Sequence, residues 1–242
     1  MSILAKKLMF VMSQRRREVV PSLGSPMAIA AGDTPGALDE SLWQYDETTD
    51  TGYYGFVPAS EFITGLDLAT LTGFTSGTNQ NSNAGWLKFY VGPTAVCNST
   101  PGTAKCIFIA KQSFKYSVSW DHINNAGLVY GTTSRTVLSQ SYNVRIMTVG
   151  EASPGTGSEW NELMYRVHAE QPESKSNWET FDTIETNITS GDGLYVWGQD
   201  TSLSNPTERV GRGAISLTYW NDHPSPTVNS TSGWRPVLEY VP

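Results

Sequence analysis

The chain of 242 residues is short of charge, of cysteine and of long apolar runs. Lys, Arg, Asp and Glu together make up 16%, against roughly 25% in an average soluble domain. Aromatic residues reach 11%, eight of them Trp, which excludes a disordered chain. A coiled coil, which needs abundant Ala, Glu, Lys and Leu, is excluded by composition. No apolar run approaches the roughly 18 residues of a membrane helix, so no membrane insertion is expected. Two cysteines do not make a disulfide framework. In place of charge stand 22 Gly, 13 Pro and many Ser, Thr and Asn. That mixture predicts a turn-rich, strand-rich globular protein with enough apolar mass for a core.

Charge is also unevenly placed. Lys6, Lys7, Arg15, Arg16 and Arg17 give the first 17 residues +5, and the rest of the chain carries −12. An acidic body argues against nucleic acid, whose recognition needs clustered Lys and Arg. The apolar run Leu8–Met12 is too short for a secretory signal, and three arginines follow it. Two readings of this start stand level: a frayed terminus, or a docking arm. Leu4, Leu8, Val11 and Met12 have helical spacing between cations, which suits an acidic partner protein. Pro21, Gly24, Pro26, Gly32, Pro35 and Gly36 mark an extended connector through residue 52.

From Tyr53 the pattern becomes that of a folded body. Tyr53–Val57 reads as a strand, and Pro58 with Ala59 and Ser60 as a helix start. Trp86–Val91 puts Trp, Lys and Tyr on one side and Leu, Phe and Val on the other. Cys106–Ala110 follows a turn cluster at 98–103, so the two runs predict a hairpin. That hairpin would bring Cys97 near Cys106, as a disulfide or, preferably, as two free thiols. Ser119 or Asp121 caps a short helix through Ile123 and Asn124, with Trp120 buried. The neighbouring Asp121 and His122 lack a nucleophile and read as structural. Residues 136–138 and 142–147 predict another hairpin. Ser158 begins the best helix signal, with Trp160, Leu163, Met164 and Val167 forming one stripe. Later strands are expected at 194–197, 209–216 and 233–241.

Two resemblances enter here. Arg209-Val210-Gly211-Arg212-Gly213, followed by Gly233-Trp234-Arg235-Pro236-Val237-Leu238, resembles the end of formylglycine-generating-type domains, a variant of the C-type lectin-like fold. That resemblance implies that Arg209, Arg212, Trp234 and Arg235, with Trp160, are structural. A longer one runs through Gly55–Ile63, Asn83–Phe89, Ile109–Gln112, Ser119–Asn124, Glu159–Tyr165 and Gly233–Glu239. Those strings, in that order, are similar to a family of tailed-bacteriophage virion proteins. The similarity implies a virion component of tail, fibre or capsid decoration, assembled in the host cytoplasm.

The alternatives are a receptor-binding adhesin for host surface glycan and an inactive enzyme relative. Formylglycine-generating enzymes use late cysteines, and residues 107–242 hold none, so no catalytic residue and no cofactor is expected. Trp220-Asn221-Asp222 resembles the Trp-Asn-Asp triplet of calcium-binding C-type lectins, and Asn and Asp oxygens suit that ion. Gln171-Pro172-Glu173 and Asn205-Pro206 match the accompanying loop only in part, so a surface turn is preferred and no metal is expected. Trp86, Trp120, Trp160 and Trp234 sit in patterned runs and are expected in the core, whereas Trp178, Trp197 and Trp220 are surface candidates. Glycan or receptor contact is expected at Trp197, Tyr219, Trp220 and Asn229. The sequons at Asn98, Asn187 and Asn229 read as chance. The expected fold is α+β and β-rich, with C-type lectin-like modules, short helices and long loops. Residues 1–52 form the arm and connector, 53–149 a first module, and 150–242 the lectin-like module. Other virion proteins and copies of the chain itself are the expected partners.

Overall fold

Period-two alternation of apolar side chains sets the framework. A computed structural model describes residues 34–36, 44–151, 157–167, 195–213, 218–228 and 230–242. Its strands are β1 (Gln44–Asp46), β2 (Thr51–Val57), β3 (Thr78–Asn79), β4 (Trp86–Val91), β5 (Lys105–Ala110), β6 (Lys115–Tyr116), β7 (Tyr130–Val137), β8 (Gln140–Ile146), β9 (Tyr195–Thr201), β10 (Glu208–Gly213), β11 (Trp220–Pro224), β12 (Ser232–Trp234) and β13 (Pro236–Val241). Among the described residues three short α-helices accompany them, α1 (Gly65–Thr72), α2 (Trp120–Asn125) and α3 (Glu159–Glu162), with 3-10 turns at Ala59–Glu61 and Met164–Val167. The body is thus β-rich with few, short helices.

One sheet has the order β1-β2-β4-β5-β13-β8-β7 and the other β11-β10-β9-β12-β6-β3. The C-terminal strand β13 lies between β5 and β8 and is antiparallel to both. Both sheets therefore take strands from either side of residue 150, so no sheet boundary falls there. β1 and the first residues of β2 also belong to the larger sheet. The end of the expected connector is consequently part of the body.

The centre of the larger sheet, β4 and β5, is buried on both faces. Trp86 and Tyr90 of β4 join Cys106, Phe108 and Ala110 of β5 in one apolar cluster. Leu87, Phe89 and Val91 join Ile107 and Ile109 in the other. These are the two sides read from β4 in the sequence. Lys88 shares the first side yet is only 1% exposed. Its ammonium donates to the Gly36 carbonyl at 2.9 Å and lies over the Tyr54 and Phe108 rings. Gly36 has φ +77°, and a Cβ there would sit 2.6 Å from Val57. Only glycine fits that seat.

Local chemistry explains the helix ends. Thr64 caps α1 by accepting from the Asp67 backbone N–H, and Gly73 closes it at φ 72°. Ser119 caps α2 in a reciprocal arrangement with His122, whose Nδ1 accepts from the Ser119 N–H. The β7–β8 hairpin turns through Leu138 and Ser139, both at positive φ, as a two-residue hairpin loop requires.

The run at 158–167 corrects the expectation of one amphipathic helix. Ser158 caps α3, but the chain breaks at Leu163, and a 3-10 turn follows at Met164–Val167. All ten residues are buried, polar ones included. Glu159, Asn161 and Arg166 are held by partners from distant elements, so no face is left for water. The cysteine expectation is corrected in its geometry. Both thiols are free, but Cys97 and Cys106 fall in different clusters, on opposite faces of the sheet.

Candidate functional site

The late strands meet in a small set of aromatic and amide side chains. Register places Gly211 between Trp197 of β9 and Asn221 of β11, and pairs Arg209 with His223. Tyr195, Trp197, Asn221 and His223 thereby come to one face. The Tyr195 ring lies 6.0 Å from Tyr219 and 5.2 Å from His223, and the Trp197 ring 6.1 Å from His223. The Tyr195 hydroxyl is bonded to Tyr219 and Asn221, and burial, then the Tyr219 bond, raises its pKa. Asn221 Nδ2 is 3.5 Å from His223 Nε2. Tyr195, Tyr219, Asn221 and His223 are all half-buried. This face offers ring surfaces and hydroxyl, amide and imidazole groups, with Arg209 at its edge, the chemistry that suits a saccharide.

Trp197 needs correction as a surface candidate. It is 1% exposed, and its indole N–H donates to the Val118 carbonyl at 2.7 Å. It shares the face of Tyr195 but lies deeper, where its indole reaches the segment just before α2. Tyr219 and Trp220 stay partly exposed, with Trp220 packed against the second cluster. Asn229 lies outside the described residues, as do Trp178 and the arm cations Lys6, Lys7, Arg15, Arg16 and Arg17.

The calcium-like pair does not converge. Asn221 and Asp222 are neighbours on β11, so their side chains leave opposite faces. Asn221 turns to Tyr195 and His223. Asp222 Oδ2 instead accepts from Ser202 Oγ at 2.7 Å and Ser204 Oγ at 3.2 Å. Those bonds, the Ser202 one foremost, hold its pKa below the ordinary value. Among the described residues no group of three His, Cys, Asp or Glu gathers as a metal would require.

The arginines of the resemblance bind backbone. Buried Arg235 donates from Nε to the Ala110 carbonyl at 2.6 Å and from Nη2 to the Lys111 carbonyl, with Trp160 6.0 Å away. Buried Arg212 reaches Val149 and Thr218 carbonyls at 3.0 Å each, and Asn161 Oδ1. Desolvation pushes its pKa down to about 10. Half-buried Arg209 lies 4.5 Å over the Trp120 ring. Trp234 is fully buried, edge-on to Phe74.

A charge cluster escaped the sequence reading. Arg145 makes a two-pronged pair with Glu159, at 2.5 and 2.8 Å, and meets Glu239 at 2.9 Å. Lys105 completes it, 2.9 Å from Glu239. No spacing signals this set, because its members lie on β5, β8, β13 and α3. Arg166 is likewise paired with Asp46 at 2.6 Å. The thiols are held in their protonated forms: burial pushes Cys97 up to about 12 and Cys106 upward as well. Searches against family models, curated proteins and solved structures find no match to the chain.

Proposed function

We propose that this chain is a non-enzymatic structural component of a bacteriophage particle, built on a C-type lectin-like body displayed outward. The observation that supports this reading is how the strings that resemble tailed-phage virion proteins meet in space. Trp86 donates to the Ile63 carbonyl at 2.8 Å, tying the second string to the first. Arg235 joins the last string to Ala110 and Lys111 of the third, and touches Trp160 of the fifth. Strings far apart in sequence thus form one set of contacts, which supports reading them as parts of one module. Placing the terminal strand inside the sheet supports the lectin-like reading. The buried pairs of Arg145 and Lys105 with Glu159 and Glu239, and of Arg166 with Asp46, together with loops rich in Ser, Thr and Asn, suit a rigid exterior protein better than acid–base catalysis. Detection of the chain at a fixed copy number in purified particles tests this.

A second reading, a receptor-binding adhesin, is favoured by the face bearing Tyr195, Tyr219, Asn221 and His223. It predicts saccharide binding on a glycan array by the full chain, lost on Tyr219→Ala with Asn221→Ala. An empty array leaves the protein a scaffold or decoration component.

A further inference from the structure

Helix α1 turns two large apolar side chains outward. Leu66 is 50% and Leu71 40% exposed, while Leu68 and Ala69 enter the core. Asp67 and Thr70 share the outward face and are exposed, and Glu61 lies exposed just before the helix. From residue 46 to residue 87 the chain holds five acids and no Lys, Arg or His. Asp46 is spent on Arg166, and Asp50 on Tyr45 and Thr94. Glu61 and Asp67 lie exposed at the surface beside the two leucines, Asp67 also accepting from Thr64 Oγ1 at 2.6 Å. Lys115, which contacts Phe74 just beyond the helix, is itself buried.

Residues 3–17 have the complementary chemistry. Leu4, Leu8, Val11 and Met12 supply an apolar stripe at helical spacing, and Lys6, Lys7, Arg15, Arg16 and Arg17 flank it with +5. We infer that the outward face of α1 is a docking surface for the N-terminal arm of a second copy of this chain. The arm's leucines cover Leu66 and Leu71, and its cations meet Glu61 and Asp67. Apolar cover supplies the affinity and charge sets the orientation. This contact rests on the particle-component reading, since it links copies in series. It is measurable without any particle, so either claim can fail without the other.

The test is photo-cross-linking of the full chain carrying benzoylphenylalanine in place of Leu8, with sites mapped by mass spectrometry. The expected product runs as a dimer and joins residue 8 to the 61–71 segment. Raised salt lowers its yield. Leu66→Gln with Leu71→Gln and Glu61→Lys weakens self-association about tenfold or more in sedimentation. All three positions are exposed, so an unchanged melting curve verifies the fold. Lys7→Glu added to Glu61→Lys restores part of the loss. A cross-link confined to the monomer band places the arm on its own body and overturns the inference. So does a cross-link mapped elsewhere, or self-association unchanged by the triple variant.

Discussion

Arg145→Met removes the cation at the centre of the four-residue charge cluster. Arg145 is buried and held between Glu159 and Glu239. Its loss leaves two carboxylates facing an apolar side chain, with Lys105 reaching only Glu239. Breaking one partner from a buried pair costs about 3–5 kcal/mol. In a domain of this size each kcal/mol moves Tm by about 2–4 °C, so Tm falls by about 6–20 °C. The pH dependence follows from Glu239. Burial alone would raise its pKa, but Arg145 and Lys105 outweigh burial and lower it. A carboxyl with a depressed folded pKa stabilises above its unfolded value, about 4.3, and that stability is lost as pH falls through the folded value. The wild-type protein therefore loses stability below about pH 4.3. The variant lacks most of that term, so the two melting curves stay apart from pH 7 to about 5 and approach each other as pH drops below about 4.3 toward about 3. Differential scanning calorimetry across that range checks both. A Tm within 2 °C of wild type at pH 7, or a gap independent of pH, would refute the reasoning.

Arg235→Ala strips the Ala110 and Lys111 carbonyls of a buried donor and should lower Tm by several degrees in a fluorescence melt, since orphaned buried groups cost about 1–3 kcal/mol each. Leu138→Asn with Ser139→Gly relieves two non-glycine residues at positive φ in the β7–β8 turn, and should raise Tm by a few degrees. Calcium or EDTA should shift Tm by less than about 1 °C, because Asn221 and Asp222 point to opposite faces. A shift of several degrees would restore the calcium site.

Local patterns were legible in the sequence, and long-range ones were not. The two sides of β4, the hairpins β4–β5 and β7–β8, and the Ser119 and Ser158 caps follow from neighbours within a few residues. The burial of Lys88 does not, because its acceptor is Gly36, 52 residues upstream. The burial of Glu159 and Arg166 has no local signal either, because their partners Arg145 and Asp46 come from other strands. Trp197 looked superficial because its flanks are irregular, and only the pairing of β9 beside β10 shows which way alternate residues turn. At the site, Tyr219 was singled out by the composition of its loop and Asn221 only as a calcium candidate, while Trp220 turns to the other side, against the second cluster. Tyr195 and His223 were passed over, since a tyrosine and a histidine 28 positions apart give no local signal.

The central claim is membership of a phage particle through the basic arm. Density-purified particles from cells expressing the full chain, or the chain lacking residues 1–30, are compared by quantitative mass spectrometry. The full chain should appear at a constant number of copies per particle, and the truncated chain should remain folded in the soluble fraction. A full chain absent from particles would contradict the account, and a truncated chain incorporated at the normal level would contradict the role given to the arm.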